Sequence, residues 1–184
     1  MYRDEWLPLD LALETGLRIG DIVAIRKRDV VEESGKLWIY YTAAKTGKPG
    51  RAEVPARLGA AVRRKLRLAV WCEYLFPPGR RYTKTPHLTR QACWARLKRA
   101  CRDAGIDPAG VSPHSLRKVF AVELLHDRGL AAVKEALQHS NDAVTRVYAY
   151  ADTVGNPESD EPIRWRDLEL IVDYILERIH EKNA

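Results

Sequence analysis

The sequence predicts a mostly helical α+β domain with one small antiparallel sheet. Three observations point there. Apolar residues recur at three- and four-residue steps in several separated stretches, a single aromatic and β-branched run is followed by a turn and a returning run, and the 184-residue chain has length for one core. With 46% hydrophobic residues, a mean hydropathy of −0.38 and no apolar run near the ~20 residues that cross a bilayer, no membrane partner is expected. The first residues lack the basic-then-apolar layout of a secretory leader, which points to the cytoplasm. Cys72, Cys93 and Cys101 form no C-x-x-C pair, so neither a disulfide framework nor a metal site is indicated.

Trp6, Leu9, Leu13 and Leu17 step as one helix face, with Gly16 placed to cap the C-terminus. A second, short helix is expected from Asp21, as its N-cap, to Arg28. Lys36 to Thr42 (KLWIYYT) and Arg51 to Val54 then read as a hairpin whose tip carries Lys45-Thr46-Gly47-Lys48-Pro49-Gly50. Residues 56–70 form a basic helix, and Pro77-Pro78-Gly79 breaks the chain. Thr89 caps a helix running to Ala104, with Trp94, Leu97 and Cys101 as its core stripe and Gly105 at its end. Pro113 opens a helix to about Asp127, Gly129 punctuates, and shorter helices follow near 130–138 and 142–150.

Charge divides the chain. Residues 151–184 hold 4 Lys and Arg against 9 Asp and Glu, whereas residues 1–150 hold 27 against 16. A basic body of this kind favours a polyanion, because neutralising phosphates releases condensed counterions. Residues 151–163, with Gly155, Pro157 and Pro162 among acids, read as a linker. Residues 164–184 form a helical tail whose stripe of Leu168, Ile171, Val172, Ile175 and Ile179 needs a surface, on this molecule or on a neighbour.

No Walker-type, G-x-G-x-x-G, H-E-x-x-H or EF-hand pattern occurs, and no cofactor is indicated. Instead, dispersed cations accompany one tyrosine: Thr15-Gly16-Leu17-Arg18-Ile19-Gly20-Asp21, Lys45-Thr46-Gly47, His114-Ser115-Leu116-Arg117, Leu137-Gln138-His139-Ser140, and Tyr148 nine positions after His139. In this order and spacing the chain resembles the tyrosine recombinases, the family of phage integrases, over residues 2–150. The resemblance implies a catalytic domain at 1–150, with an N-terminal core-binding domain expected to be absent from this chain. It implies that Arg18 and Arg117 grip a scissile phosphate and that Lys45 protonates the departing 5′ oxygen. His114 becomes an acid/base partner, His139 a phosphate ligand, Asp21 a supporting acid and Tyr148 the nucleophile. Double-stranded DNA is the implied partner, with four copies assembling on it and exchanging C-terminal tails. Gln138 stands where the family usually has glycine, and Lys118-Val119 replaces a more usual basic-threonine pair. Neither change removes a reactive group.

The chemistry is coherent without the family. Phosphodiester cleavage needs fixed positive charge around an oxygen-rich transition state, and two planar guanidinium forks supply it. A phenol of pKa about 10 needs a base or nearby cations to attack at neutral pH. Taken singly, each residue also has a structural reading: a helix-end arginine, a solvated turn lysine, a capping or core histidine, a packed tyrosine. Tyr150 is a rival nucleophile on another side of the same helix, while His87, His126 and His180 match no motif. Two further functions use the same residues: type IB topoisomerase-like strand relaxation, and a DNA-binding regulator whose catalytic set is inactive.

Overall fold

A computed structural model describes residues 5–81 and 84–137. The order of elements is α1 (Leu7–Thr15), α2 (Ile19–Val23), a 3₁₀ turn (Lys27–Asp29), β1 (Val30–Glu33), β2 (Lys36–Thr42), β3 (Pro49–Val54), α3 (Ala56–Arg67), α4 (Arg90–Asp103) and α5 (Pro113–Leu137). The mostly helical architecture with a small antiparallel sheet is the predicted one, and the sheet has three strands in the order β1-β2-β3.

The first helix is more deeply placed than a single stripe suggested. Leu7, Leu9, Leu11 and Leu13 are all buried, and α1 packs against α2, α3, α4, α5 and β3. A helix buried on most of its circumference, Asp10 included, belongs at the centre of a fold. It ends as predicted, at Gly16 in the left-handed conformation (φ 64°). An added Cβ there would lie 2.2 Å from Cδ1 of Phe120, so glycine is required twice over, by its backbone and by the approach of α5.

Asp21 does not cap the second helix. Arg18, in extended conformation, occupies the N-cap position, α2 covers Ile19–Val23, and the chain makes a separate 3₁₀ turn at Lys27–Asp29. The strand β1 was not predicted. It pairs Val30 with Ile39 through Glu33 with Lys36, across a turn in which Ser34 and Gly35 both take positive φ (50° and 77°). The predicted hairpin is present, with Leu37 opposite Val54 and Thr42 opposite Pro49. Leu37 and Ile39 point into the core.

Helix α3 stops at Arg67, short of residue 70, because Leu68 turns extended and Ala69 takes φ 48°. Thr89 caps α4, its side chain accepting from the Ala92 N–H at 3.1 Å, and Gly105 (φ 74°) closes the other end. The core stripe of α4 is Cys93, Leu97, Ala100 and Cys101. Trp94 is 48% exposed and corrects the core assignment: it lies one helical step off the buried stripe, its Nε1–H donating to the Val111 carbonyl. Pro113 opens α5, and Gly129 (φ 75°, ψ 179°) divides it in two as predicted. Helices expected at 142–150 and 164–184, and the linker at 151–163, lie outside the described residues. Among the described residues no helix is long and apolar enough to cross a membrane.

Candidate active site

Separated stretches of chain meet at one open cleft of about 470 Å³. Arg18 reaches it from the junction of α1 and α2, Lys45 from the hairpin tip, and His114 and Arg117 from the first turns of α5. Each position has a local cause. The left-handed Gly16 turns the chain so that Arg18 leads into α2 rather than prolonging α1. His114 and Arg117 are three residues apart on one helix and so share a face.

The Lys45 tip is a compact loop. The Ala43 N–H donates to Lys48 at 2.9 Å, and the Gly47 N–H returns to the Ala43 carbonyl at 2.8 Å. Asp21, 7% exposed, fastens this loop to α2: its Oδ1 accepts from the Ala44 N–H at 3.0 Å. The acid of the first motif therefore holds the backbone beside Lys45.

Arg117 is 5% exposed and bridges two ends of the fold. Its Nη1 donates to the Gly16 carbonyl and its Nη2 to the Leu137 carbonyl at 2.9 Å. Burial and the neighbouring Arg18 push its pKa down to about 10, still well above neutrality, so it remains a cation. The side chains of Arg18, Lys45 and His114 make no hydrogen bond or ion pair among the described residues. Asp21 is the one carboxylate among the described residues lining the cleft, against four basic side chains there. Partial burial, followed by the charges of Arg117, Lys118, Arg18 and Lys45, holds the His114 pKa below the usual imidazole value. Neutral imidazole is thus its resting form at neutral pH, and it can accept a proton. Cationic forks beside a proton acceptor suit an oxyanion that gains charge during reaction.

Of the predicted residues, Arg18, Asp21, Lys45, His114 and Arg117 are brought together. His139 and Tyr148 lie outside the described residues, as does Tyr150. Two residues escaped the sequence reading. Arg90, at the start of α4, lines the same cleft. Tyr41, half-buried on the inner side of β2, feels the charges of Arg117, Asp21 and Arg18, although burial is what chiefly raises its pKa. Nothing in the motif at 15–21 signals Arg90, but the glycine at position 20 is the trace it leaves: a Cβ there would be 3.3 Å from Arg90 Cδ.

The description "Phage integrase family" belongs to the family profile that matches residues 2–153. The chain belongs to the phage integrase family. Among curated relatives, the tyrosine recombinase XerC of Roseiflexus sp. is 29% identical over 85% of this chain and 49% of its own length. The tyrosine recombinase XerA of Thermococcus kodakarensis is 32% identical over 79% of this chain and 50% of its own length. The chain therefore spans about half the length of these relatives. Among solved structures, the XerH site-specific recombinase bound to palindromic difH substrate superposes with a TM-score of 0.66 at 24% identity, covering 80% of this chain and 42% of that one. The XerA recombinase superposes at 0.60 with 20% identity, covering 88% and 66%. These likenesses establish the phage-integrase catalytic fold.

Proposed function

We propose that the chain is the catalytic domain of a site-specific DNA recombinase, a metal- and ATP-independent enzyme that cuts and rejoins strands through a covalent 3′-phosphotyrosyl intermediate. The observation that carries this reading is the meeting of Arg18, Lys45, His114 and Arg117, drawn from distant parts of the chain, at one cleft with a single lining carboxylate among the described residues.

In this reading Arg18 and Arg117 bind the non-bridging oxygens of the scissile phosphate and stabilise the charge that builds as phosphorus becomes five-coordinate. A guanidinium carries five N–H donors, so Arg117 can hold two carbonyls and still grip a phosphate. The Tyr148 oxygen attacks, its proton passing to neutral His114. A phosphorus–tyrosyl oxygen bond forms as the bond to the 5′ oxygen breaks, and Lys45 protonates that leaving oxygen. His139 bonds the phosphate. The ester keeps the energy of the broken bond, so attack by a 5′ hydroxyl of another strand reverses the step without ATP. Asp21 acts through Lys45, by fixing the loop that bears it.

The partner is double-stranded DNA and the setting the cytoplasm. The XerH relative was solved on a DNA substrate, and a Tn1549 transposon integrase of the same fold was solved with circular intermediate DNA, which supports a DNA partner and a mobile-element role here. Assembly as a homotetramer on DNA, with residues 164–184 exchanged between copies, completes the proposal. The acidic tail complements a basic body.

The test is adduct formation on nicked duplexes drawn from DNA flanking the coding region, where the nick lets the cleaved end escape. A protein–DNA adduct lost in Tyr148→Phe supports the recombinase. Adduct formation with supercoil relaxation by single protomers and no exchange between sites favours the topoisomerase reading. Binding without any adduct favours the inactive regulator.

A further inference from the structure

Arg90 is the one cation among the described residues lining the cleft that no motif accounts for, and of the cations on α4 it is the one that lines it. Further along α4, Arg96 donates to the Glu5 carbonyl at 2.7 Å, Lys98 reaches the Pro108 carbonyl, and Arg99 lies 4.0 Å from the Glu5 carboxylate. The Arg90 side chain is exposed and, like that of Arg102 at the other end of the helix, makes no hydrogen bond or ion pair among the described residues. Its direction is nonetheless constrained. Thr89 caps the first turn of α4, and the Arg90 stem lies against the backbone of α2 at Gly20, where a Cβ would come within 3.3 Å of Arg90 Cδ. With its stem laid on Gly20, Arg90 lines the cleft that Arg18 and Lys45 also line.

From this we propose that Arg90 is a further DNA-binding residue of the site, its guanidinium gripping a backbone phosphate of the strand whose scissile phosphate sits on Arg18, with Gly20 as the gap that admits its stem. The inference rests on the phosphate reading of the cleft. A planar fork with no acceptor among the described residues, held among other cations, matches phosphate geometry. A phosphate contact positions the strand without reading its sequence.

The experiment measures affinity of the chain for two labelled 30-base-pair duplexes of unrelated sequence between about 50 and 200 mM salt, for wild type, Arg90→Gln, Arg90→Lys and Arg18→Gln. Each phosphate contact contributes about 0.9 to the slope of log affinity against log salt. Arg90→Gln is therefore expected to lower the slope by about 0.9 on both duplexes. The wild-type advantage then shrinks about three- to fourfold across that salt range. Arg90→Lys retains the slope, and the melting temperature of both variants stays at the wild-type value. An unchanged slope in Arg90→Gln beside a lowered slope in Arg18→Gln overturns this inference alone. Unchanged slopes in both overturn the phosphate reading of the cleft as well. Weakening confined to one duplex overturns the phosphate contact in favour of a base contact.

Discussion

The carboxylate of Asp21 accepts a hydrogen bond from the backbone N–H of Ala44 at 3.0 Å, joining the helix that follows Arg18 to the loop that carries Lys45. Two motifs far apart in sequence are thereby held at a fixed separation. A hydrogen bond to a charged group contributes about 1.5–3 kcal/mol. Asp21→Ala is expected to lower the urea midpoint by that order and to slow adduct formation. Both are read on one preparation, and an unchanged adduct rate would separate the loop anchor from the chemistry.

Arg18 and Arg117 are expected to differ in what their loss costs. The Arg18 side chain makes no hydrogen bond or ion pair among the described residues, so Arg18→Ala should leave stability within about 0.5 kcal/mol. Arg117→Ala leaves the Gly16 and Leu137 carbonyls without their donor, costing about 1–3 kcal/mol for each. Both variants should lose at least about 100-fold in adduct rate. Denaturant midpoints beside single-turnover rates check the pair.

The His114 pKa lies below its unfolded value of about 6.5, so the unfolded chain binds more protons than the native one just below that pH. The His114 contribution to stability is therefore complete above about pH 6.5 and is lost as pH falls through the lowered native value. His114→Gln should flatten the fall in urea midpoint between pH 7.5 and pH 5. A wild-type slope retained in this variant would assign the acid sensitivity to other groups.

Gly16→Ala combines a left-handed backbone with a Cβ placed 2.2 Å from Phe120 Cδ1. Overpacking alone costs about 1–3 kcal/mol, and backbone strain adds to it. Pairing it with Phe120→Ala should recover part of the loss, giving a coupling of about 0.5–3 kcal/mol in a double-mutant cycle.

Burial pushes the Cys93 thiol up to about 11 and raises Cys101 as well, and Cys72 is also buried. Thiolate is the reactive form, so none of the three should react with a disulfide reagent in the native chain on the timescale of their reaction in guanidinium. Rapid native labelling would contradict the burial.

What was legible in the sequence rested on local rules. Gly16, Thr89, Gly105, Pro113 and Gly129 end or begin elements because of their own backbone chemistry, and KLWIYYT announced its strand by composition. What escaped depended on neighbours. The strand Val30–Glu33 is short and mostly exposed, so it has no alternating pattern, although Ser34-Gly35 is a turn signal. Trp94 and the true α4 stripe differ by one helical step, which periodicity over three residues does not resolve. Asp21 stands where a cap would, yet its acceptor serves a loop 23 residues away. The family resemblance named Arg18, Lys45, His114 and Arg117, but only the packing of α4 on α2 brings Arg90 beside them.

The two carbonyls held by Arg117 change what its presence signifies. A related chain without the proposed DNA cleavage would still need that side chain to keep its central helix joined to the far end of α5. Arg18, Lys45 and His114 brace nothing among the described residues, so disuse would erode them first, and their survival together is the better sign of a working enzyme.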